Sequence, residues 1–190
     1  MISREKASDL NLTGHEVFGN HFLQPSTSTT MTLTLPLFTE ESKTVLIPRY
    51  NIKLVKESQI YYQHKKITGA KMVYDLLQDI GLHEKAQEEF HSFYLDTKNH
   101  IIGMQMISKG TLNASLVHPR EVFKGALLAN AHALILAHNH PSGDVEPSTA
   151  DKMATKSLVD AGKLLSVEIL DHVIIGSKGG YFSFSESSIL

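Results

Sequence analysis

The stretch that decides the fold is Ala133-Leu134-Ile135-Leu136-Ala137-His138-Asn139-His140-Pro141-Ser142-Gly143. Its apolar run predicts a strand that is buried on both faces. Residues i and i+2 of a strand point to the same side, so His138 and His140 present two imidazoles together. A proline and a glycine follow directly and predict a sharp turn. The pattern therefore predicts a polar site where a buried strand ends.

A helix that is predicted to begin after this turn brings a carboxylate back to the two histidines. Ser148 is typical of an N-cap, and the pattern predicts a helix from Ser148 to about Ala161. Asp151 lies one turn into that helix, so its carboxylate can reach the same point. Two histidines and one aspartate are three protein ligands, which leave a fourth position for water, as catalytic zinc sites do. The residues alone leave metal binding and ordinary capping or strand-end roles as open alternatives.

Composition limits the kind of metal site that this chain can build. It has 190 residues, no Cys and 11 His. The lack of Cys excludes disulfides, thiolate nucleophiles, Cys-type zinc fingers and iron–sulfur clusters. A bound transition metal would therefore need histidine and carboxylate ligands.

The overall composition is that of a globular protein. Hydrophobic residues make up 42% of the chain and charged residues 20%, which suits one domain with its own core. The net charge of −2 is not the footprint of a chain that binds nucleic acid as a whole. No apolar run approaches a membrane span, and residues 1–7 have no apolar core of the kind that signal peptides contain. We therefore expect a cytoplasmic protein without membrane contacts, and a homo-oligomer is compatible with the sequence.

The segments around the decisive stretch predict a mixture of helices and strands. Helices are predicted over 68–79, capped by Thr68, and over 119–129, with a short helix or turn over 83–88. Further strands are predicted over 44–48, 50–55, 90–95, 101–107, 115–117 and 167–176, and residues 179–184 are predicted to form a hairpin tip and a last strand. Neighbouring strands mixed with helices predict a single α/β sandwich around a mixed sheet.

The first 42 residues are predicted to form an N-terminal arm, partly disordered, before a domain over residues 43–190. Residues 25–30 are a polar tract without periodicity. Residues 43–71 hold seven Lys or Arg and one acid, so the domain begins with a basic segment. A solvated sheet face is favoured over a nucleic-acid patch there.

Several blocks of the sequence resemble known proteins. His138-x-His140, then ten residues and Asp151, with Ser148 three residues before it, resembles the JAMM motif of MPN-domain metalloproteases. Over roughly residues 65–185 the chain is similar to bacterial RadC-like proteins. The blocks that carry this similarity are Gly110-Thr111-Leu112-Asn113-Ala114-Ser115, His118-Pro119-Arg120-Glu121-Val122-Phe123-Lys124, Ala137 to Asp144, Glu146-Pro147-Ser148 and Leu170-Asp171-His172. The resemblance implies an MPN/JAB (cytidine-deaminase-like) α-β-α sandwich.

The resemblance also implies a role for each site residue. His138, His140 and Asp151 would hold Zn²⁺. Ser148 would donate a hydrogen bond to the oxyanion or orient the attacking water. A glutamate at the edge of the first core strand would be the general base, taking a proton from that water and passing it to the leaving amine.

Two adjacent glutamates are candidates for the general base. Consecutive strand residues point to opposite faces, so only one of Glu88 and Glu89 can face the metal. Counting back from the turn after the strand favours Glu88. Glu121 is not assigned, because it is predicted to lie in a first helical turn, where an acid complements the helix dipole. His172 beside Asp171 could support a ligand, but an ordinary polar pair at a strand end is favoured.

We therefore expect a JAMM-type zinc metallopeptidase that cleaves a peptide or isopeptide-like amide, with a protein or peptide as its substrate. One alternative is a DNA-repair or mobile-element-associated RadC-like protein that binds nucleic acid. Another is an inactive MPN scaffold for protein interactions. Longer family members carry an N-terminal helix–hairpin–helix region that is associated with DNA. The first 42 residues show neither its glycine hairpin nor paired helices, so a short form is expected and the DNA role is weakened.

Overall fold

The computed structural model describes residues 47–62, 66–110 and 117–190. Its elements, all within the compact unit Tyr50–Leu190, are α1 (Ala70–Asp79), a 3₁₀ turn (Leu82–Glu84), β1 (Glu89–Leu95), β2 (Ile101–Lys109), α2 (Pro119–Leu128), β3 (Ala133–His140), α3 (Thr149–Leu165), β4 (Glu168–Gly176) and β5 (Tyr181–Ser183). The predicted arm over residues 1–42 lies outside the described residues. Among the described residues, no helix has the length and apolar composition needed to cross a bilayer.

The five strands form one mixed sheet in the order β2-β1-β3-β4-β5. β3 and β4 are parallel, whereas the other neighbouring pairs are antiparallel. Phe90 of β1 lies opposite His138, and Ile174 of β4 lies beside it on the other side. The end of β3 therefore lies in the middle of the sheet, with β1 on one side and β4 on the other, and both strands can contribute side chains to a site there.

The helices cover both faces of this sheet. α1 packs against the face formed by the odd-numbered residues of β1 and β3, and the buried residues of that layer include Val73, Leu77, Phe93, Ile135 and Val173. α2 and α3 pack against the other face, where the buried residues include Phe90, Val122, Phe123, Leu136 and Leu158. The predicted α-β-α sandwich around a mixed sheet is confirmed.

Three local predictions are wrong or incomplete. Residues 47–62 contain no strand, although strands are predicted over 44–48 and 50–55, and residues 44–46 lie outside the described residues. Alternating hydrophobicity is not sufficient there, because a strand also needs a partner for its backbone groups. α1 has Gly69 rather than Thr68 as its N-cap, and the Thr68 hydroxyl donates to the Met72 sulfur at 3.0 Å instead. Of the strand predicted over 115–117, only Val117 is described, and it lies in a bend.

Candidate metal centre

The last residues of β3 place two histidines on one face, as the alternation predicts. His138 is fully buried, and its ring stacks on Phe90 with a centroid separation of 5.9 Å. The Nε2 atoms of His138 and His140 lie 3.0 Å apart. The Nδ1 atom of His140 lies 2.6 Å from the Asp144 carbonyl oxygen, in the turn that follows the strand. Both rings therefore direct Nε2 toward one point at the end of the sheet.

The first turn of α3 directs a carboxylate to that point. Ser148 and Asp151 form a capping box, in which the Asp151 amide donates to Ser148 Oγ at 3.1 Å and the Ser148 amide donates to Asp151 Oδ2 at 2.8 Å. The cap fixes the carboxylate so that Oδ1 lies 3.4 Å from His138 Nε2 and Oδ2 lies 3.6 Å from His140 Nε2. The carboxylate thus reaches both imidazoles.

The three side chains fit a small tetrahedrally coordinated cation. One ligand atom from each of His138, His140 and Asp151 lies within 4.8 Å of the others. Ligand atoms at zinc distances of about 2.0–2.1 Å from a tetrahedral centre are about 3.4 Å apart. The two Nε2 atoms are 3.0 Å apart, and each lies at a similar distance from one oxygen of the carboxylate, 3.4 Å from Oδ1 for His138 and 3.6 Å from Oδ2 for His140. Nitrogen and oxygen donors in this number suit zinc and leave one position open.

The protonation states also suit a ligand set. Burial, together with the neighbouring His172, holds the pKa of His138 well below its ordinary value, so its imidazole is neutral. Burial alone would raise the pKa of Asp151, but its contacts with His140, His138 and Ser148 hold that pKa well below the ordinary range. The Asp151 carboxylate, 3.6 Å from His140 Nε2, raises the pKa of His140, with burial opposing it. A bound cation would compete with a proton for His140 Nε2.

A chain of hydrogen bonds behind the site fixes the orientation of His138. Its Nδ1 lies 2.8 Å from His172 Nε2, and His172 Nδ1 lies 2.6 Å from Thr155 Oγ1. The Thr155 hydroxyl donates to the Asp151 carbonyl oxygen at 2.6 Å, so it accepts from His172 Nδ1. His172 Nε2 must then accept from His138 Nδ1, and the lone pair on His138 Nε2 remains directed at the site.

His172 supports a candidate ligand, which the sequence allowed but did not favour. The favoured interpretation, an ordinary polar pair at a strand end, is wrong, because His172 lies within β4, fully buried and opposite Leu136. Burial lowers its pKa to about 3, so the ring is neutral. Only the parallel pairing of β3 with β4 brings it to His138, and no local pattern in the sequence shows that pairing.

The two candidate bases lie on opposite faces. The Glu89 side chain is buried on the α1 face, with Oε1 3.0 Å from Lys109 Nζ and Oε2 3.3 Å from His91 Nε2. Burial alone would raise its pKa, but Lys109 and His91 hold that pKa below the ordinary value. Glu88 is half-buried and alternates to the face of the two histidines. Its charge adds to the larger effect of Asp151 in raising the pKa of His140.

The side chains of Ser148 and Glu121 both form hydrogen bonds that define their surroundings. The Ser148 hydroxyl donates to Asp151 Oδ2 at 2.6 Å, so its proton is directed at the carboxylate. Glu121 lies in the first turn of α2, as predicted, and accepts from Lys124 Nζ at 2.6 Å. Glu121 therefore belongs to the surface of α2.

The sequence model of one protein family, described as RadC-like JAB domain, matches residues 67–189. The chain belongs to the RadC-like JAB domain family. This confirms the resemblance, and the matched region agrees with the range of roughly 65–185 to within a few residues at each end. The RadC-like JAB domain contains every residue of the candidate centre, from Glu88 to His172.

Similar proteins have names that state no activity. A "UPF0758 protein" from Pelodictyon phaeoclathratiforme is 49% identical over 127 residues, which cover 67% of this chain and 56% of that protein. A "UPF0758 protein" from Methanosarcina mazei is 48% identical over 126 residues, or 66% of this chain and 54% of that protein. This chain with its RadC-like JAB domain thus spans about half the length of the curated relatives it matches.

Proposed function

We propose that this chain is a zinc-dependent hydrolase that uses water to cleave a peptide or isopeptide-like amide. The observation that carries the proposal is the convergence of His138, His140 and Asp151: the two Nε2 atoms lie 3.0 Å apart, and one ligand atom from each of the three residues lies within 4.8 Å of the others. A zinc ion bound there would polarise the amide carbonyl and lower the pKa of a water molecule to about 7.

The charges of the protein groups suit that chemistry. The ligand set contains one carboxylate, on Asp151, and two imidazoles that bind in their neutral form. The positive charge of a divalent cation would therefore be only partly neutralised, which preserves its strength as a Lewis acid. The hydrogen bond from His138 to His172 supports this state, because it keeps the Nε2 lone pair available.

Proton transfer is assigned to Glu88. An amine is a poor leaving group unless it is protonated, so amide hydrolysis needs a group that moves a proton from the attacking water to the nitrogen. Glu88 supports this role because it is half-buried and lies on the face of His140, whereas Glu89 pairs with Lys109 on the other face.

Stabilisation of the oxyanion is assigned to Ser148. Its hydroxyl lies at the helix start beside the ligand Asp151 and donates to that carboxylate at 2.6 Å. Rotation of the hydroxyl away from Oδ2 would direct its proton at the oxygen of a bound amide. The Ser148 amide would continue to hold the carboxylate, at 2.8 Å.

The test combines metal analysis with hydrolysis of a quenched fluorogenic peptide library and of an isopeptide-linked lysine conjugate. The purified protein should contain about one zinc per chain. Glu88→Gln should keep the zinc and lose hydrolysis by at least about 100-fold, the size of a general base contribution. The control is Glu121→Gln, which changes an acid on the surface of α2 and should leave hydrolysis unchanged. A zinc-loaded wild type that hydrolyses neither substrate, or Glu88→Gln with full activity, would contradict the proposal.

A further inference from the structure

Asn139 stands between the two histidines and faces the other side of the sheet. It is fully buried, and the hydrogen bonds that the structure describes for its carboxamide all go to one segment of the chain. Oδ1 accepts from the Glu89 amide at 2.8 Å, and Nδ2 donates to the carbonyl oxygens of Lys85 at 3.2 Å and Gln87 at 3.1 Å. One side chain thus binds three backbone groups of residues 85–89.

These bonds begin where the regular pairing of two strands ends. The register between β1 and β3 runs from Leu95 opposite Ala133 to Phe90 opposite His138. A carboxamide offers the same C=O acceptor and N–H donors as a peptide group. The Asn139 side chain therefore takes over from the backbone ladder, and it supplies an acceptor for the amide of the buried Glu89.

The three bonded groups lie on both sides of Glu88. Extended by two residues, the same register would bring Glu88 opposite His140 and on the same face. The Glu88 carbonyl oxygen accepts from the Gly110 amide at 2.9 Å, next to the end of β2. The backbone at Glu88 is thus held from the β2 side by this bond and from the β3 side by Asn139.

We propose that Asn139 is a positioning residue for Glu88: its carboxamide holds residues 85–89 against the strand of His138 and His140, and so fixes the carboxylate beside the metal ligands. The inference rests on the proposed function, which makes Glu88 the general base. It also explains the composition of His138-Asn139-His140, because one face of this tripeptide supplies two ligands and the other face anchors the base.

The experiment uses the Co²⁺-loaded protein and azide as a probe, followed by visible absorption. The negative charge of Glu88 beside the metal opposes the binding of an anion. Glu88→Gln should therefore raise the azide affinity, by about tenfold. Asn139→Ala releases the segment that carries Glu88 and should raise the affinity by about threefold or more. The double variant should bind azide as Glu88→Gln does, because the Asn139 effect passes through Glu88.

Two further variants separate positioning from general destabilisation. Ser92→Ala is the matched control, since Ser92 is fully buried in β1 and its hydroxyl has no hydrogen-bond partner among the described residues. It should leave azide binding unchanged. Asn139→Thr removes less volume and keeps an acceptor for the Glu89 amide, so it should shift azide binding in the same direction as Asn139→Ala but by less.

Three results would overturn the proposal. The first is Asn139→Ala with wild-type azide affinity, and the second is a double variant in which the two effects multiply. The third is a failure to bind Co²⁺. If only Asn139→Ala loses Co²⁺, then Asn139 acts on the metal ligands and not on Glu88. If the wild type also binds no Co²⁺, then the site does not exist. Failure of the proposed function is distinguishable: a wild type that binds Co²⁺ and hydrolyses no peptide contradicts hydrolysis, while the azide measurements still decide the role of Asn139.

Discussion

Asp151 and Asp171 are both buried, at 4% and 7% exposure, yet the structure shifts their pKa values in opposite directions. The pKa of Asp151 is held low by His140 and His138, against the effect of burial. Burial raises the pKa of Asp171, and the hydrogen bonds that it accepts only partly oppose this. Similar burial therefore produces opposite outcomes, and the neighbours decide between them.

The neighbours also distinguish a carboxylate that can bind a metal from one that only holds the fold together. Asp171 accepts from neutral donors, namely Ser183 Oγ at 2.7 Å, the Ser185 amide at 3.0 Å and the His172 amide at 2.7 Å. These bonds tie β4 to β5 and the turn after it. Asp151 instead directs its carboxylate at two imidazoles. A buried carboxylate thus indicates a metal site only when its partners are themselves ligand atoms.

The largest expected effect is that of Asp151→Ala. The variant removes the charged member of the ligand set, so the affinity for zinc should fall by more than about 100-fold. This loss is larger than the roughly 10–100-fold that is typical when a residue hydrogen-bonded to a ligand is replaced. Titration against a competing chelator measures the affinity. Asp171→Asn is the matched control and should bind zinc as the wild type does. Full affinity in Asp151→Ala would refute its assignment as a ligand and remove the contrast between the two aspartates.

His172 lies between the two aspartates, and replacing it has the next largest effect. Its ring is hydrogen-bonded to the Thr155 hydroxyl, which donates to the Asp151 carbonyl oxygen. Its backbone amide donates to Asp171 Oδ1. His172→Phe preserves the ring that stacks on Phe184, with centroids 4.8 Å apart, but leaves His138 Nδ1 without its acceptor. Zinc affinity should fall by about 10–100-fold.

The control for that variant is His91→Phe. His91 is also buried, but it lies on the α1 face and pairs with Glu89. Zinc affinity should not change in His91→Phe, even where the variant is less stable. Equal losses of affinity in both variants would show that any change in the buried histidines disturbs the site, and would refute a specific role for His172.

What the sequence could predict is the local part of the centre. His138 and His140 follow from the period of a strand, and Asp151 follows from an N-cap three residues earlier. His172 contacts His138, which is 34 residues away in sequence, and Asn139 contacts Glu89, which is 50 residues away. Both contacts depend on which strands are neighbours in the sheet. That pairing arises from packing of the whole sheet, which local periodicity does not contain.

The same reasoning explains the errors in the fold. The helices and the strands of the core were predicted because each buries a regular apolar face, as in α1 with Val73 and Leu77. Residues 50–55 alternate in a similar manner, but all six are exposed and none is paired. An alternating pattern specifies which side of a strand would be apolar, and it does not supply the neighbouring strand.

Asp171→Ala tests the structural side of the comparison. The variant leaves the Ser183 hydroxyl and the His172 amide without their acceptor, and each buried donor of this kind costs about 1–3 kcal/mol. The free energy of unfolding in urea should fall by at least about 1 kcal/mol, while about one zinc per chain is retained. Asp171→Asn should lose less, because Oδ1 still accepts. Loss of zinc without loss of stability would reverse the roles of the two aspartates.

The smallest expected effect is that of Ser148→Ala on stability. The variant removes the side chain of an N-cap, which costs about 1 kcal/mol, and the Ser148 amide still donates to Asp151 Oδ2 at 2.8 Å. Urea unfolding should show that loss, and zinc affinity should change far less than in Asp151→Ala. Ser148→Thr restores a capping hydroxyl and should recover most of the stability. Zinc loss as large as that of Asp151→Ala would mean that the hydroxyl, and not the backbone amide, orients the ligand carboxylate.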